Sequence, residues 1–129
     1  MILGVGIDLC DASRIEKSLE KQTFCDYVYA PAEQTLLAGL SGKRRAETAA
    51  ANFAAKEAFL KAAGTGLGGF ALSELALLRA ENGAPYFELQ GRAATWAVQR
   101  GLTVHVSLTH EKGLASAIVL LEEHRPKGE

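Results

Sequence analysis

Residues 47–66, ETAAANFAAKEAFLKAAGTG, decide how this chain is read. Alanine dominates them, and alanine is the best helix former. The spacing predicts a helix that ends in a glycine-rich turn, with Gly64 where a left-handed C-terminal cap belongs. Phe53, Glu57 and Lys61 recur at four-residue steps and so share one helix face. Taken alone, Glu57 and Lys61 are an ordinary exposed pair worth about 0.3 kcal/mol. Their meaning depends on what the rest of the chain brings to that face.

Upstream, Lys43, Arg44 and Arg45 open the helix. Three cations at a helix start oppose its dipole, so a phosphate or an acidic protein is a better reason for them than helix stability. Pro31 suits the first turn of a preceding helix, with Glu33 near its N-terminus, running to about Leu40 before Ser41 and Gly42 break it. Phe24 to Tyr29 is aromatic and expected to pack. Ser13 to Lys21 is expected as a short helix whose Arg14, Lys17 and Lys21 form a basic stripe. That stripe is either a solvated face, given Glu16 and Glu20 beside it, or a dock for an acidic partner. Met1 to Leu9 is apolar and β-rich and reads as a strand buried on both faces, with Gly4 and Gly6 allowing a close approach. Asp8 near its end is a cap or a ligand, and Asp11 and Ser13 can do the capping instead.

Downstream, residues 65–69, TGLGG, are a plain loop or an amide cradle for phosphate; they carry no GxxxxGK[ST] pattern. Leu75–Arg79 and Tyr86–Leu89 read as strands joined at Asn82-Gly83, with Pro85 at a strand start. Gly91 to Arg100 reads as a helix closed by Gly101. In Val104 to Thr109 the apolar Val104, Val106 and Leu108 alternate with His105, Ser107 and Thr109. His110 follows beside a loop, where ligands often bind. Ala115 to Leu121 is nearly all apolar and is expected to be a central strand. Residues 122–129, with His124, read as a frayed tail.

Composition sets limits. A chain of 129 residues with 48% apolar residues is expected to be one globular domain. With 14 basic and 15 acidic residues, the net charge of -1 gives no general case for nucleic acid or a membrane surface. Cys10 and Cys25 have no metal-like spacing and, with no secretory segment at the start, read as reduced thiols of a cytoplasmic protein. No apolar run is long enough to span a bilayer. Asp8, Glu57, Lys61 and the glycine turn together suggest Mg²⁺ and phosphate chemistry. Mg²⁺ takes one or two carboxylates and fills its shell with water and substrate phosphates, and a lysine can neutralise a leaving phosphate.

The pattern resembles the holo-[acyl-carrier-protein] synthases, within the 4'-phosphopantetheinyl transferases. GVGIDLCDASRI (4–15), FAAKEAFLKAAGTGLG (53–68), NGAPY (82–86) and VHVSLTHEKGLASAIVLLE (104–122) carry the resemblance, in order and with matching separations. It implies an α+β fold with a small antiparallel sheet packed against a long central helix. It implies transfer of 4'-phosphopantetheine from coenzyme A to a serine of apo acyl carrier protein, releasing adenosine 3',5'-bisphosphate, in support of fatty acid biosynthesis. Asp8 and Glu57 match the family's Mg²⁺ ligands, and Lys61 the residue that steadies the pyrophosphate. Gly64, Thr65 and Gly66 match a phosphate-contacting turn, and Ser107, Thr109 and His110 the nucleotide-side segment. Glu57, directly or through a metal-bound water, is the first choice of base, with an aspartate near the metal second. Carrier proteins of this type are acidic, and Arg14, Lys17 and Lys21 fit the helix on which the family docks them. The family forms trimers with sites between subunits, which a small alanine-rich core and uncovered apolar strand surface allow. One position departs: Asn52 stands where the family usually has an arginine that contacts a CoA phosphate, with Arg44 or Arg45 available to compensate. A non-catalytic CoA- or carrier-binding module and a metal-dependent phosphohydrolase are the competing readings.

Overall fold

A computed structural model of the chain describes residues 1–65 and 69–124. Strand β1 (Ile2–Asp11) leads into three short helices, α1 (Ala12–Ser18), α2 (Gln22–Val28) and α3 (Pro31–Ala38), and then the long α4 (Gly42–Ala63). A ribbon of β2 (Leu75–Arg79) and β3 (Pro85–Leu89) follows, then α5 (Gly91–Arg100), β4 (Leu102–Glu111) and β5 (Leu114–Glu123). The fold is α+β, as expected. One antiparallel sheet has the order β1-β5-β4, and β2 and β3 form a second, two-stranded one.

Helix α4 packs on β1 and β5, and its alanines explain how closely. Ala50, Ala54, Ala58 and Ala62 lie four residues apart and are all buried. A Cβ on Gly4 would stand 1.9 Å from the carbonyl oxygen of Ala62, and one on Gly6 1.9 Å from that of Ala58. Only hydrogen fits at either place, so the close approach expected at these glycines is that of α4. On another side of the helix, Phe59 meets Phe70, Phe87 and Trp96 at ring-centroid distances of 6.4, 5.3 and 6.4 Å.

Several expectations hold in detail. Gly64 and Gly101 close α4 and α5 with φ of 76° and 59°. Asp11 caps α1 by accepting from the Ser13 amide at 2.9 Å, which leaves Asp8 out of capping. β5 is the central strand. Val104, Val106 and Leu108 of β4 are half-buried, and His105, Ser107 and Thr109 are exposed. Both cysteines are free and buried, and burial pushes the Cys10 thiol up to about 11.

Three expectations need correction. β1 is not buried on both faces. It is an edge strand, and Val5, Ile7 and Leu9 stand 53%, 62% and 60% exposed on the sheet face away from α4. The basic helix ends at Ser18, and the chain turns before α2, so Lys21 is not on the helix of Arg14 and Lys17. Glu122 and Glu123 are not tail but the end of β5, and Arg100 pairs with Glu123 at 2.7 Å.

Candidate active site

Three side chains meet where α4 crosses the open edge of β1. Asp8 lies on the strand face with Gly6 and Cys10, which are covered by the helix. Glu57 and Lys61 sit one turn apart on α4, as the four-residue spacing predicted. The Lys61 ammonium donates to Asp8 Oδ1 and to the Ile7 carbonyl, both at 3.0 Å. Two of its three N–H groups are thus used among the described residues. The pair is open to solvent, with side chains 55% and 20% exposed. Ile7, Asp8, Leu9, Lys61 and Ser116 line a surface hollow at this point, and the Ser116 hydroxyl donates to the Asp8 carbonyl at 3.1 Å.

Glu57 is the electrostatically stressed member. Partial burial, and then the negative charge of Asp8, raise its carboxyl above the usual range, while Lys61 pulls it back down. Two carboxylates that repel each other across one cation are suited to a divalent metal. The described residues include no group of three or more His, Cys, Asp or Glu able to hold a metal. Two hard oxygen donors with no further protein ligand fit Mg²⁺, which keeps several waters and binds substrate phosphates.

Of the turn after α4, the amides of Gly64 and Thr65 are described, and both are occupied. The Gly64 amide donates to Leu60 and Lys61 carbonyls, and the Thr65 amide to the Leu60 carbonyl at 3.2 Å. Both amides finish the helix, and a helix C-terminus carries the negative end of the dipole. Gly66 lies outside the described residues.

Ser107, Thr109 and His110 are not brought to Asp8. They lie on β4, with the whole of β5 between: Asp8 pairs with Ala117, which pairs with Leu108. Thr109 and His110 instead border a second hollow with Arg44, Glu47, Thr48 and Arg79. His110 Nδ1 stands 3.6 Å from Glu47 Oε2.

Asn52, which stands where the family usually has a phosphate-contacting arginine and which can still donate a hydrogen bond, is fully buried. Its amide donates to Glu33 Oε2 and to the Leu77 carbonyl, both at 2.9 Å, and its Oδ1 accepts from Arg79 Nη2 at 2.8 Å. Glu33 in turn accepts from the fully buried Lys56 at 2.5 Å, and Lys56 also donates to the Leu72 and Leu75 carbonyls at 2.9 Å each. Reading the sequence missed this network. Lys56 one residue before Glu57, among alanines, is a signal only once the buried face of α4 is known.

Comparison with known proteins decides the family. The model of the 4'-phosphopantetheinyl transferase superfamily matches residues 4–119. The chain belongs to that superfamily. Among similar phosphopantetheinyl transferases, the holo-[acyl-carrier-protein] synthase of Treponema denticola is 41% identical, over 95% of this chain and 99% of the relative. That of Lachnoclostridium phytofermentans is 42% identical, over 95% and 97%. A holo-(acyl-carrier-protein) synthase from Bacillus anthracis, solved in complex with CoA (3',5'-ADP), superposes with a TM-score of 0.82 at 34% identity, covering 96% of this chain and 99% of that one. The Neisseria meningitidis enzyme superposes at 0.85 with 28% identity, covering 95% and 100%.

Proposed function

We propose that this chain, acting as one catalytic domain, transfers 4'-phosphopantetheine from coenzyme A to a serine hydroxyl of an apo acyl carrier protein. The other product is adenosine 3',5'-bisphosphate, and the reaction is Mg²⁺-dependent, cytoplasmic and in support of fatty acid biosynthesis. The observation that carries this reading is the Asp8–Lys61 contact at 3.0 Å with Glu57 one turn away, its carboxyl raised partly by Asp8. No helix among the described residues is long and apolar enough to cross a membrane.

Asp8 and Glu57 would hold Mg²⁺, which when bound draws charge from the pyrophosphate and makes the transferred phosphorus more electrophilic. The serine oxygen forms a bond to that phosphorus as the bond to the bridging oxygen of adenosine 3',5'-bisphosphate breaks. Glu57, directly or through a metal-bound water, would take the serine proton. Among the described residues Lys61 keeps one N–H beyond those given to Asp8 and Ile7, and it would stabilise the charge that grows on the leaving phosphate.

Arg14 and Lys17 on α1 are both exposed, and Lys17 shares a surface hollow with Lys21 and Phe24 despite the intervening turn. This basic ground would steer an acidic carrier protein and be weakened by salt. The uncovered outer sheet face, with Val5, Ile7, Leu9 and the 43% exposed Ile118, supports a homotrimer with sites shared between subunits.

The test is intact-mass measurement of an apo carrier protein after incubation with the chain, CoA and Mg²⁺. A gain of one phosphopantetheine that is lost with EDTA is expected. CoA cleaved without a carrier would instead indicate a hydrolase, and CoA bound but unchanged a binding module.

A further inference from the structure

We propose that Arg79, held by Asn52, is the residue through which this chain recognises the ribose phosphate of coenzyme A; this rests on the transfer reaction proposed above. Coenzyme A carries phosphate at two places, a pyrophosphate and a ribose 3'-phosphate. The pyrophosphate belongs with Asp8, Glu57 and Lys61, so the second phosphate needs a second cationic site. The hollow between α4, β2 and β4 is that site. Arg44 and Arg79 line it, with the hydroxyls of Thr48 and Thr109, the ring of His110 and one opposing acid, Glu47. Glu47 is engaged by His110 at 3.6 Å.

Arg79 is placed rather than loose. It ends β2, is half-buried, and its Nη2 is fastened to Asn52 Oδ1 at 2.8 Å while Nη1 donates to the Leu78 carbonyl at 3.3 Å. Two of the five guanidinium N–H donors are used in this way among the described residues, and an anion would take the others. Asn52 is held by Glu33 and by the Leu77 carbonyl. The neutral Asn52 therefore contributes no charge itself but aims a cation supplied from β2. Sequence reasoning looked to Arg44 and Arg45 for compensation, whereas the fold brings in Arg79. Thr109 lies on the sheet face that also carries Val5, Ile7 and Leu9.

The experiment compares the wild type with Arg79→Gln, Arg79→Lys and Asn52→Ala, using CoA and 3'-dephospho-CoA as donors. Calorimetric binding of adenosine 3',5'-bisphosphate and adenosine 5'-phosphate provides a second readout. Loss of one charged hydrogen bond predicts that Arg79→Gln raises the KM for CoA about tenfold or more, with kcat and the KM for 3'-dephospho-CoA within about threefold. Arg79→Lys should keep part of the preference for CoA, and Asn52→Ala should give an intermediate loss. Equal weakening toward both donors would make Arg79 a structural prop and overturn the proposal, as would no change with either. Circular dichroism identifies a variant that has not folded; if Arg79→Gln is one, Arg79→Lys decides by the same ratio. If the wild type transfers nothing to a carrier, the transfer reading fails by itself. The calorimetric arm then decides: a 3',5'-bisphosphate preference lost in Arg79→Gln upholds the anion site, and its absence from the wild type overturns it.

Discussion

Helix α4 carries two lysine–carboxylate pairs five residues apart, and they have opposite characters. Lys56–Glu33 is sealed: both side chains are 0% exposed, and Lys56 spends its three donors on Glu33 and two carbonyls. Lys61–Asp8 is open at a strand edge, with 55% and 20% exposure and the stressed Glu57 beside it. A buried charge with every bond satisfied holds elements together, here α3, α4 and the segment leading into β2. A charge cluster left open and incompletely neutralised is available for a ligand. The difference comes from the face of the helix, since Lys56 and Glu57 are neighbours in the chain.

The sharpest way to break the comparison is at the sealed pair. Lys56→Met leaves Glu33 buried without its partner, which should cost roughly 3–5 kcal/mol of stability. Thermal unfolding should show a melting point lower by more than about 10 °C. A stability change below about 1 kcal/mol would mean that the pair does not tie these elements together.

Glu57→Gln should reverse that pattern. Removing one of two carboxylates from the proposed Mg²⁺ site should lower kcat/KM for transfer about 100-fold, or roughly 2.7 kcal/mol, while the melting point stays close to wild type. Stopped transfer with an equal loss of stability would place Glu57 with the sealed group.

Gly6→Ala tests what spaces the two elements. Its Cβ would meet the Ala58 carbonyl oxygen at 1.9 Å, so β1 and α4 must separate. An overpacking cost of roughly 1–3 kcal/mol is expected. Transfer should fall with stability, because Asp8 moves away from Lys61. Unimpaired transfer by a destabilised Gly6→Ala would show that the Asp8–Lys61 spacing is not critical.

The smallest effect is in pH dependence. The folded state raises the Glu57 carboxyl, first through burial and then through Asp8. Stability from this group is therefore full below its unfolded value and declines as pH rises through the raised folded one. Glu57→Gln should abolish that decline, so the variant gains on the wild type as pH rises across and just above the carboxylate range. Denaturant melts of both proteins at several pH values measure it, and parallel curves would contradict the stated burial.

Much of this was legible in the chain. Helix α4 and its left-handed stop at Gly64, the hairpin at Asn82-Gly83 and the alternation of β4 follow from local propensity and side-chain period. Those properties belong to neighbouring residues. So does the shared face of Glu57 and Lys61, which a four-residue step imposes wherever the helix lies. The carboxylate on β1, Asp8, could be named as a cap or a ligand from its place near the strand's end, but nothing local set it against that helix face. Its contact with Lys61 depends on two glycines that let a strand touch a helix some fifty positions away.

The tertiary structure decided the rest. It made β1 an edge strand with an uncovered face, because pairing order depends on which strands meet and not on their composition. It turned Asn52 inward and delivered Arg79 from β2, since burial reflects what packs over a residue. Above all it separated Lys56 from Glu57. Local sequence determined that both lie on one helix. Only the packing of α3, β1 and β2 around that helix determined which charge would be sealed and which would remain open for chemistry.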